Sequence, residues 1–117
     1  MKLGYLLLYV PDVELAVEFY EKAFGLTKRF VKVEGDIVYA EMETESTKLG
    51  FVSHSLARSN GVEYTDLPPD QPAAPMEIGL VTEDVAAAHA TAVDAGATDV
   101  AAPTKKTWGQ TVAYVRD

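Results

Sequence analysis

Glu77 has a sequence setting that suggests acid–base chemistry. It lies between Met76 and Ile78 at the start of an apolar segment that we predict to be a buried strand. Burial without a cation raises the pKa of a carboxyl group, and such a group can take a proton from a carbon acid. Two other roles fit the same position. The Glu77 carboxylate could contact a ligand, or it could be structural and pair with a neighbouring residue or with water. The sequence leaves these roles open.

The other reactive residue types form no recognisable catalytic set. The chain has no cysteine and two histidines, so a cysteine nucleophile and thiolate metal ligands are excluded. Ser53, His54 and Ser55 are adjacent, but neighbouring strand residues point to opposite faces, and no Ser-His-Asp arrangement can be inferred. His54, at the end of a predicted strand, could reach the rim of a binding site. We place His89 on the solvent side or the edge of a predicted helix.

The composition describes a single domain with a core of ordinary size. Of its 117 residues, 48% are hydrophobic, which is enough for one core and too little for two. The 10 basic and 18 acidic residues give a net charge of −8, which argues against a nucleic-acid partner and favours a neutral or cationic ligand. No apolar run reaches the roughly 18 residues that span a bilayer. The lack of cysteine is typical of the reducing cytoplasm, where we expect this protein.

A duplicated segment organises the chain. Residues 5–16 are echoed by residues 77–88, and each copy has an apolar strand-like run, an Asp-Val pair and a helix-like stretch. The second copy repeats the Asp12-Val13 pair as Asp84-Val85. A unit of this size is a duplicated supersecondary structure and not one repeat of a solenoid. Two such units predict a cleft between them, where a small molecule could bind.

The first copy predicts an α+β fold. Its pattern indicates a strand at 2–10, a helix that begins after Asp12 and ends at Gly25, and strands at 28–33, 37–43 and 48–53. Asp12 can accept hydrogen bonds from the free amides of the first helical turn, and glycine commonly ends a helix. Gly35-Asp36 predicts a tight turn between two of the strands.

The second copy is shorter than the first. Residues 55–75 lose periodicity and are rich in proline, which predicts a linker. A strand at 76–81, a helix from about 85 to 95, and strands near 98–102 and 110–115 follow. The chain then ends where the first copy has one more strand. We therefore expect that the sequence is a truncated form of a longer protein.

The opening and closing motifs resemble those of a known superfamily. The residues that carry the resemblance are Leu8-Tyr9-Val10-Pro11-Asp12-Val13, Ala16, Phe19-Tyr20, Phe24-Gly25-Leu26, Trp108-Gly109-Gln110 and Tyr114-Val115-Arg116-Asp117. They are similar to the vicinal oxygen chelate superfamily, which includes glyoxalase I, bleomycin-resistance proteins, fosfomycin-resistance enzymes and extradiol dioxygenases. The resemblance implies one domain of paired βαβββ modules, at about 1–54 and 76–117 with the second incomplete. It also implies a curved mixed sheet around a cleft, helices on the outer face, and dimers.

The resemblance places four metal ligands in the metal-dependent members, and this chain lacks most of them. The corresponding positions are Tyr5, Gly50, Glu77 and a residue beyond Asp117. Tyrosine would have to bind as a phenolate, far from its ordinary protonation state at neutral pH. Gly50 has no side chain, and one carboxylate cannot supply the three or four donors that a first-row metal ion needs. The sequence therefore predicts no metal and no cofactor.

The resemblance also indicates which side chains line the cleft. If Tyr5 faces inward, strand alternation turns Leu7 and Tyr9 the same way. The same reasoning on the other strands gives a lining of Tyr5, Tyr9, Tyr39, Trp108 and Tyr114, with Glu41, His54 and Glu77 as polar side chains. Tyrosine also packs well in strands, so some of these rings could fill a core or a dimer contact instead.

These observations favour a small-molecule binding protein that works without metal. Aromatic rings and carboxylates suit a planar or cationic ligand, and sequestering such a ligand is one version of this role. One alternative is a lyase or isomerase resembling glyoxalase I, of the lactoylglutathione lyase type, with an atypical metal site. Another is a dimeric interaction domain without a ligand. We expect a small molecule and a second copy of the chain as partners, with neither nucleic acid nor membrane.

Overall fold

Six strands and three helices divide between two units of the chain. The computed structural model describes residues 1–117, with the units at Met1–Glu63 and Tyr64–Asp117. The first unit contains β1 (Tyr5–Val10), α1 (Val13–Phe24), β2 (Lys28–Glu34), β3 (Ile37–Met42), β4 (Lys48–Ser53) and α2 (His54–Ser59). The second contains α3 (Val85–Asp94), β5 (Thr98–Lys105) and β6 (Thr111–Arg116). None of the helices has the length and apolar character required to cross a membrane.

The first unit forms a four-stranded mixed sheet. Its strand order is β1-β4-β3-β2, with β1 parallel to β4 and the other pairs antiparallel. Helix α1 connects β1 to β2, and β2, β3 and β4 follow one another through short turns. This is the βαβββ arrangement that the sequence predicts, and the predicted α+β fold class is confirmed.

The core of the first unit lies between α1 and one face of this sheet. The helix buries Val13, Val17, Tyr20 and Ala23, and the sheet buries Ala40, Met42, Leu49 and Phe51. The Tyr20 and Phe51 rings meet edge to face with centroids 4.8 Å apart. The strand alternation inferred from the sequence therefore assigns the core face of β3 and β4 correctly.

The two copies of the Asp-Val pair form equivalent helix caps. A carboxylate oxygen of Asp12 accepts a hydrogen bond from the Leu15 amide, and one of Asp84 accepts from the Ala87 amide, both at 3.0 Å. These bonds satisfy amides that have no partner within the helix. Gly25 ends α1 in the left-handed conformation, with φ of 65°. The duplication seen in the sequence thus extends to its local structure.

The structure corrects the predicted course of residues 54–81. Residues 76–81 form no strand, because strand backbone needs hydrogen bonds from a neighbouring strand and an apolar sequence alone does not provide one. Residues 54–59, predicted as the end of a strand and the start of a linker, form the helix α2. The Ser53 hydroxyl caps this helix by accepting from the Leu56 amide at 3.2 Å.

In the second unit β5 and β6 form a two-stranded antiparallel sheet. Strand β5 extends to Lys105, beyond the predicted end at residue 102, and it includes Pro103. Proline lacks an amide hydrogen and is tolerated on a strand that has a free edge. The β5–β6 register shifts between Asp99 and Ala101 and again between Ala101 and Thr104.

Candidate functional site

The sheet face opposite α1 in the first unit carries a row of accessible apolar side chains. Gly50 of β4 pairs with Leu7 of β1 on one side and with Glu41 of β3 on the other. Val52 of β4 pairs in the same way with Tyr9 and Tyr39. Residues paired across strands share a face of the sheet. This surface, called the aromatic face below, consists of Tyr5, Leu7, Tyr9, Phe30 and Tyr39. Tyr5 is 60% exposed, while Tyr9 and Phe30 are each more than one-third exposed.

A hydrogen-bonded group of three side chains lies on the aromatic face. The Tyr39 hydroxyl donates to Oε1 of Glu41 at 2.7 Å, and the Arg29 guanidinium donates to Oε2 of the same carboxylate at 3.1 Å. Glu41 is only 6% exposed. Both of its oxygens have protein partners, so the carboxylate predicted as a polar contact for a ligand forms an ion pair with the half-exposed Arg29.

Arg29 and Phe30 reach this face because of an irregularity in β2. The register of β2 against β3 shifts between Lys28 and Phe30, which leaves Arg29 without a residue opposite. Arg29 contacts Glu41, while the Phe30 ring lies 5.9 Å from the Tyr39 ring. A bulge turns successive side chains to the same side of a sheet. Sequence reasoning missed both residues, because strict alternation places neighbours on opposite faces and nothing in the sequence marks the bulge.

The protonation of Tyr39 follows from its surroundings. Burial raises the pKa of its phenol far above the ordinary value, and both the hydrogen bond to Glu41 and the charge of that carboxylate raise it further. The hydroxyl therefore remains neutral at physiological pH. Tyr39 acts here as a hydrogen-bonding group and not as an anion or a base.

The residues at the expected metal position do not fit a metal ion. A Cβ atom at Gly50 would lie 2.8 Å from Cδ2 of Leu7 and 3.3 Å from the Tyr39 hydroxyl. The space that a glutamate side chain would need is therefore filled by these two residues. No group of three or more histidine, cysteine, aspartate or glutamate side chains is arranged to hold a metal ion.

His54 lies away from the aromatic face. It is the first residue of α2 and lines a cavity of about 410 Å³ together with Asp12 and Asp36. Val38 and Ser53 also line this cavity. Each adjoins Tyr39 or Val52 in its strand and therefore points to the opposite face of the sheet. The prediction that His54 shares the orientation of Gly50 is therefore wrong, because the chain leaves the strand at Ser53.

The remaining predicted residues lie in the second unit. Glu77 is exposed and belongs to the segment without a strand, so the buried setting that made it a candidate base is absent. Trp108 is 69% exposed, and its indole nitrogen donates to the Gln110 side chain at 3.1 Å. Tyr114 lies on β6 and is partly exposed.

His89, predicted near the solvent, is mostly covered. Its side chain is 13% exposed, and Nε2 lies 3.0 Å from a carboxylate oxygen of Asp99. The pair joins α3 to β5 within the second unit.

Comparison with known protein families gives one match over nearly the whole chain. The sequence profile of the Glyoxalase/Bleomycin resistance protein/Dioxygenase superfamily matches residues 2–117. No curated protein matches the sequence.

Several solved structures share the fold. A glyoxalase-related enzyme from Fulvimarina pelagi superposes with a TM-score of 0.81 at 21% identity, covering 99% of this chain and 80% of the other. A superfamily member from Sphaerobacter thermophilus gives 0.72 at 21% identity, covering 100% and 89%. TioX from Micromonospora sp. ML1 gives 0.66 at 21% identity, covering 100% and 90%. At these identities the likeness concerns the fold.

Proposed function

We propose that this chain, which belongs to the Glyoxalase/Bleomycin resistance protein/Dioxygenase superfamily, binds a planar and partly apolar small molecule without a metal ion. The negative net charge of the chain favours one version of this function, the sequestration of an aromatic or cationic compound. The observation that carries the proposal is the aromatic face. Apolar side chains grouped on an accessible surface mark binding sites, and aromatic rings stack on planar ligands.

The way the aromatic face is built supports binding over catalysis. A lyase or isomerase of the glyoxalase type needs an electrophile to stabilise the charge that develops when a carbon acid loses its proton. Leu7 and Tyr39 fill the space at Gly50 where a metal ligand would project. Glu77 is exposed. Both carboxylate oxygens of Glu41 accept hydrogen bonds, one from Arg29 and one from Tyr39. An enzymatic role with an atypical metal site is therefore the weaker alternative.

Thermal-shift measurements with two planar probes of opposite charge test this function. We expect proflavine, a cation, to raise the melting temperature more than 1-naphthalenesulfonate, because the chain carries a net charge of −8. Stabilisation follows the ratio of ligand concentration to dissociation constant, so micromolar binders are detectable. Zinc, nickel and manganese, added in parallel, should leave the melting temperature unchanged.

Matched variants locate the binding. Tyr5→Ala and Tyr9→Ala each remove a ring from the aromatic face and should reduce the proflavine shift. Leu15→Ala removes an apolar side chain about as exposed as Tyr5 from α1, on the other side of the sheet, and should not reduce the shift. Equal shifts in all three variants, or no shift with either probe, would refute binding on this face.

A second copy of the chain is the protein partner that we propose. Strands β1 and β2 are the edges of the four-stranded sheet, and the apolar residues Met76, Leu80 and Val81 are exposed in the segment that forms no strand. Free strand edges and exposed apolar residues favour association. Sedimentation equilibrium at tens of micromolar should give the mass of a homodimer, and a monomer mass would contradict the proposal.

A further inference from the structure

We infer that the Tyr39 hydroxyl is a hydrogen-bond acceptor for the ligand, and that this ligand is a planar molecule with an N–H or O–H donor at its edge. The inference rests on the proposed function and specifies the chemistry that the aromatic face selects.

The first step concerns the proton of the Tyr39 hydroxyl. Glu41 is paired with the Arg29 guanidinium, and a carboxylate in such a pair offers only acceptor oxygens. The 2.7 Å bond between Tyr39 and Glu41 must therefore use the tyrosine proton. Because a phenol has a single donor hydrogen, Tyr39 has none left for a ligand.

The second step concerns what holds this orientation in place. Arg29 donates to the other oxygen of Glu41 at 3.1 Å, which fixes the carboxylate so that Oε1 faces Tyr39. Two other cations lie near this part of the sheet: Lys48 donates to the Thr44 carbonyl at 3.0 Å, and Lys32, which pairs with Tyr39 across β2 and β3, is exposed. Arg29 and Glu41 therefore act as positioning residues for the hydroxyl.

The third step concerns what Tyr39 has left to offer. A phenol oxygen keeps acceptor capacity when its hydrogen is donated elsewhere. Tyr39 is only partly buried, and its ring adjoins that of Phe30. A ring stacked on this pair could direct an N–H or O–H to the Tyr39 oxygen. An ether, a ketone or an anion at the same position would meet an acceptor with no hydrogen to share.

Indole and benzofuran provide a matched pair of probes, because they have nearly the same planar shape and only indole carries an N–H group. Binding is measured by titration with chemical-shift mapping on the backbone amides of β1, β3 and β4. We expect indole to bind about threefold to tenfold more tightly, the range for one net hydrogen bond.

Two variants separate the role of the hydroxyl from general packing. Tyr39→Phe keeps the ring and should make the two affinities equal by weakening indole alone. In Glu41→Gln the amide oxygen should accept from Arg29 and the amide nitrogen should donate to Tyr39, which frees the tyrosine proton. The preference for indole should then disappear or reverse although Tyr39 is still present, a result that simple loss of structure does not produce.

The outcomes distinguish this inference from the proposed function. Binding of both probes with equal affinity to the wild-type chain, or an indole preference that persists in Tyr39→Phe, would overturn the inference and leave the proposed function intact. Failure of both probes to shift any amide of the aromatic face, while proflavine still binds there, would overturn the inference alone, and failure of proflavine as well would overturn the proposed function.

Discussion

Leu7 and Gly50 lie opposite each other on β1 and β4, and the Leu7 side chain occupies the space that a side chain at position 50 would need. Its Cδ2 atom is 2.8 Å from the point where a Cβ atom would be. This one relationship removes a ligand position and lets the Tyr39 hydroxyl approach the middle of the sheet. The aromatic face thus includes two of the four positions where the superfamily resemblance implies metal ligands, Tyr5 and Gly50.

The purified protein should contain no stoichiometric zinc, nickel, iron or manganese. Tyr5 and Gly50 occupy two of the expected ligand positions, and Glu77 alone cannot supply the donors that such an ion needs. Elemental analysis of protein purified without chelators checks this expectation. One metal per chain that is lost in Glu77→Ala would show that the site is built in another way.

Replacing Gly50 should destabilise the first unit through steric conflict. Gly50→Ala inserts a methyl group against Leu7 and against the Ala40 carbonyl, which lies 3.1 Å from the Cβ position. We expect a loss of about 1–3 kcal/mol in the free energy of unfolding, as for other overpacked sites. Gly4→Ala is the control, because no atom lies within 4 Å of its Cβ position. Equal denaturant midpoints for the two variants would contradict this explanation.

Local sequence signals predicted the first unit well. The Asp12 cap, the Gly25 stop and the two-residue alternation of β3 and β4 each depend on a few neighbouring residues. Such signals can be recognised in the sequence without knowledge of which distant residues come into contact. For this reason the bounds of α1 and β4, and the core residues Ala40 and Phe51, were predicted correctly.

Features that depend on distant partners were not predictable in the same way. Residues 76–81 have a strand-like composition, but no neighbouring strand pairs with them. The bulge at Arg29 arises from the way β2 pairs with β3. No residue type in β2 is a sequence signal for a bulge. The Arg29–Glu41–Tyr39 group, which determines how the aromatic face can bind, follows from that bulge. Sequence reasoning therefore identified several side chains of the aromatic face but not the hydrogen bonds that join Arg29, Tyr39 and Glu41.

The stability of the protein should fall at high pH partly because of Tyr39. Its pKa is raised in the folded state, so the folded chain retains a proton that the unfolded chain releases above its ordinary pKa of about 10. The stabilisation is complete below that pH and is lost as the pH rises toward the folded-state value. Tyr39→Phe should lose less stability between about pH 9 and 11. Denaturant unfolding over this range, with circular dichroism as the signal, provides the measurement.

Loss of the Asp12 cap should weaken the start of α1. In Asp12→Ala the Leu15 amide loses its acceptor, and we expect a cost of about 1 kcal/mol, within the usual range for helix caps. Asp12→Asn keeps a side-chain oxygen at the same place and should cost much less. Chemical denaturation of the two variants is the comparison. An alanine variant as stable as the asparagine variant would show that the 3.0 Å bond contributes little.

Removal of Arg29 should leave a buried carboxylate without its cation. Glu41 is 6% exposed, and an unpaired charge in such a position is costly. Because the Arg29 side chain is itself 45% exposed, solvent reduces the effect. We therefore expect Arg29→Ala to lower the free energy of unfolding by about 1–2 kcal/mol.

Two further variants show whether the charge pair is responsible. Lys32→Ala removes an equal charge from the same strand, where the side chain is exposed, and should change stability by less than about 0.5 kcal/mol. Adding Glu41→Gln to Arg29→Ala removes the buried negative charge, and the double variant should recover part of the lost stability. Urea denaturation at neutral pH of the wild type, these three variants and Glu41→Gln alone measures the coupling. If Arg29→Ala costs no more than Lys32→Ala, the ion pair does not hold Glu41, and the orientation of the Tyr39 hydroxyl must have another cause.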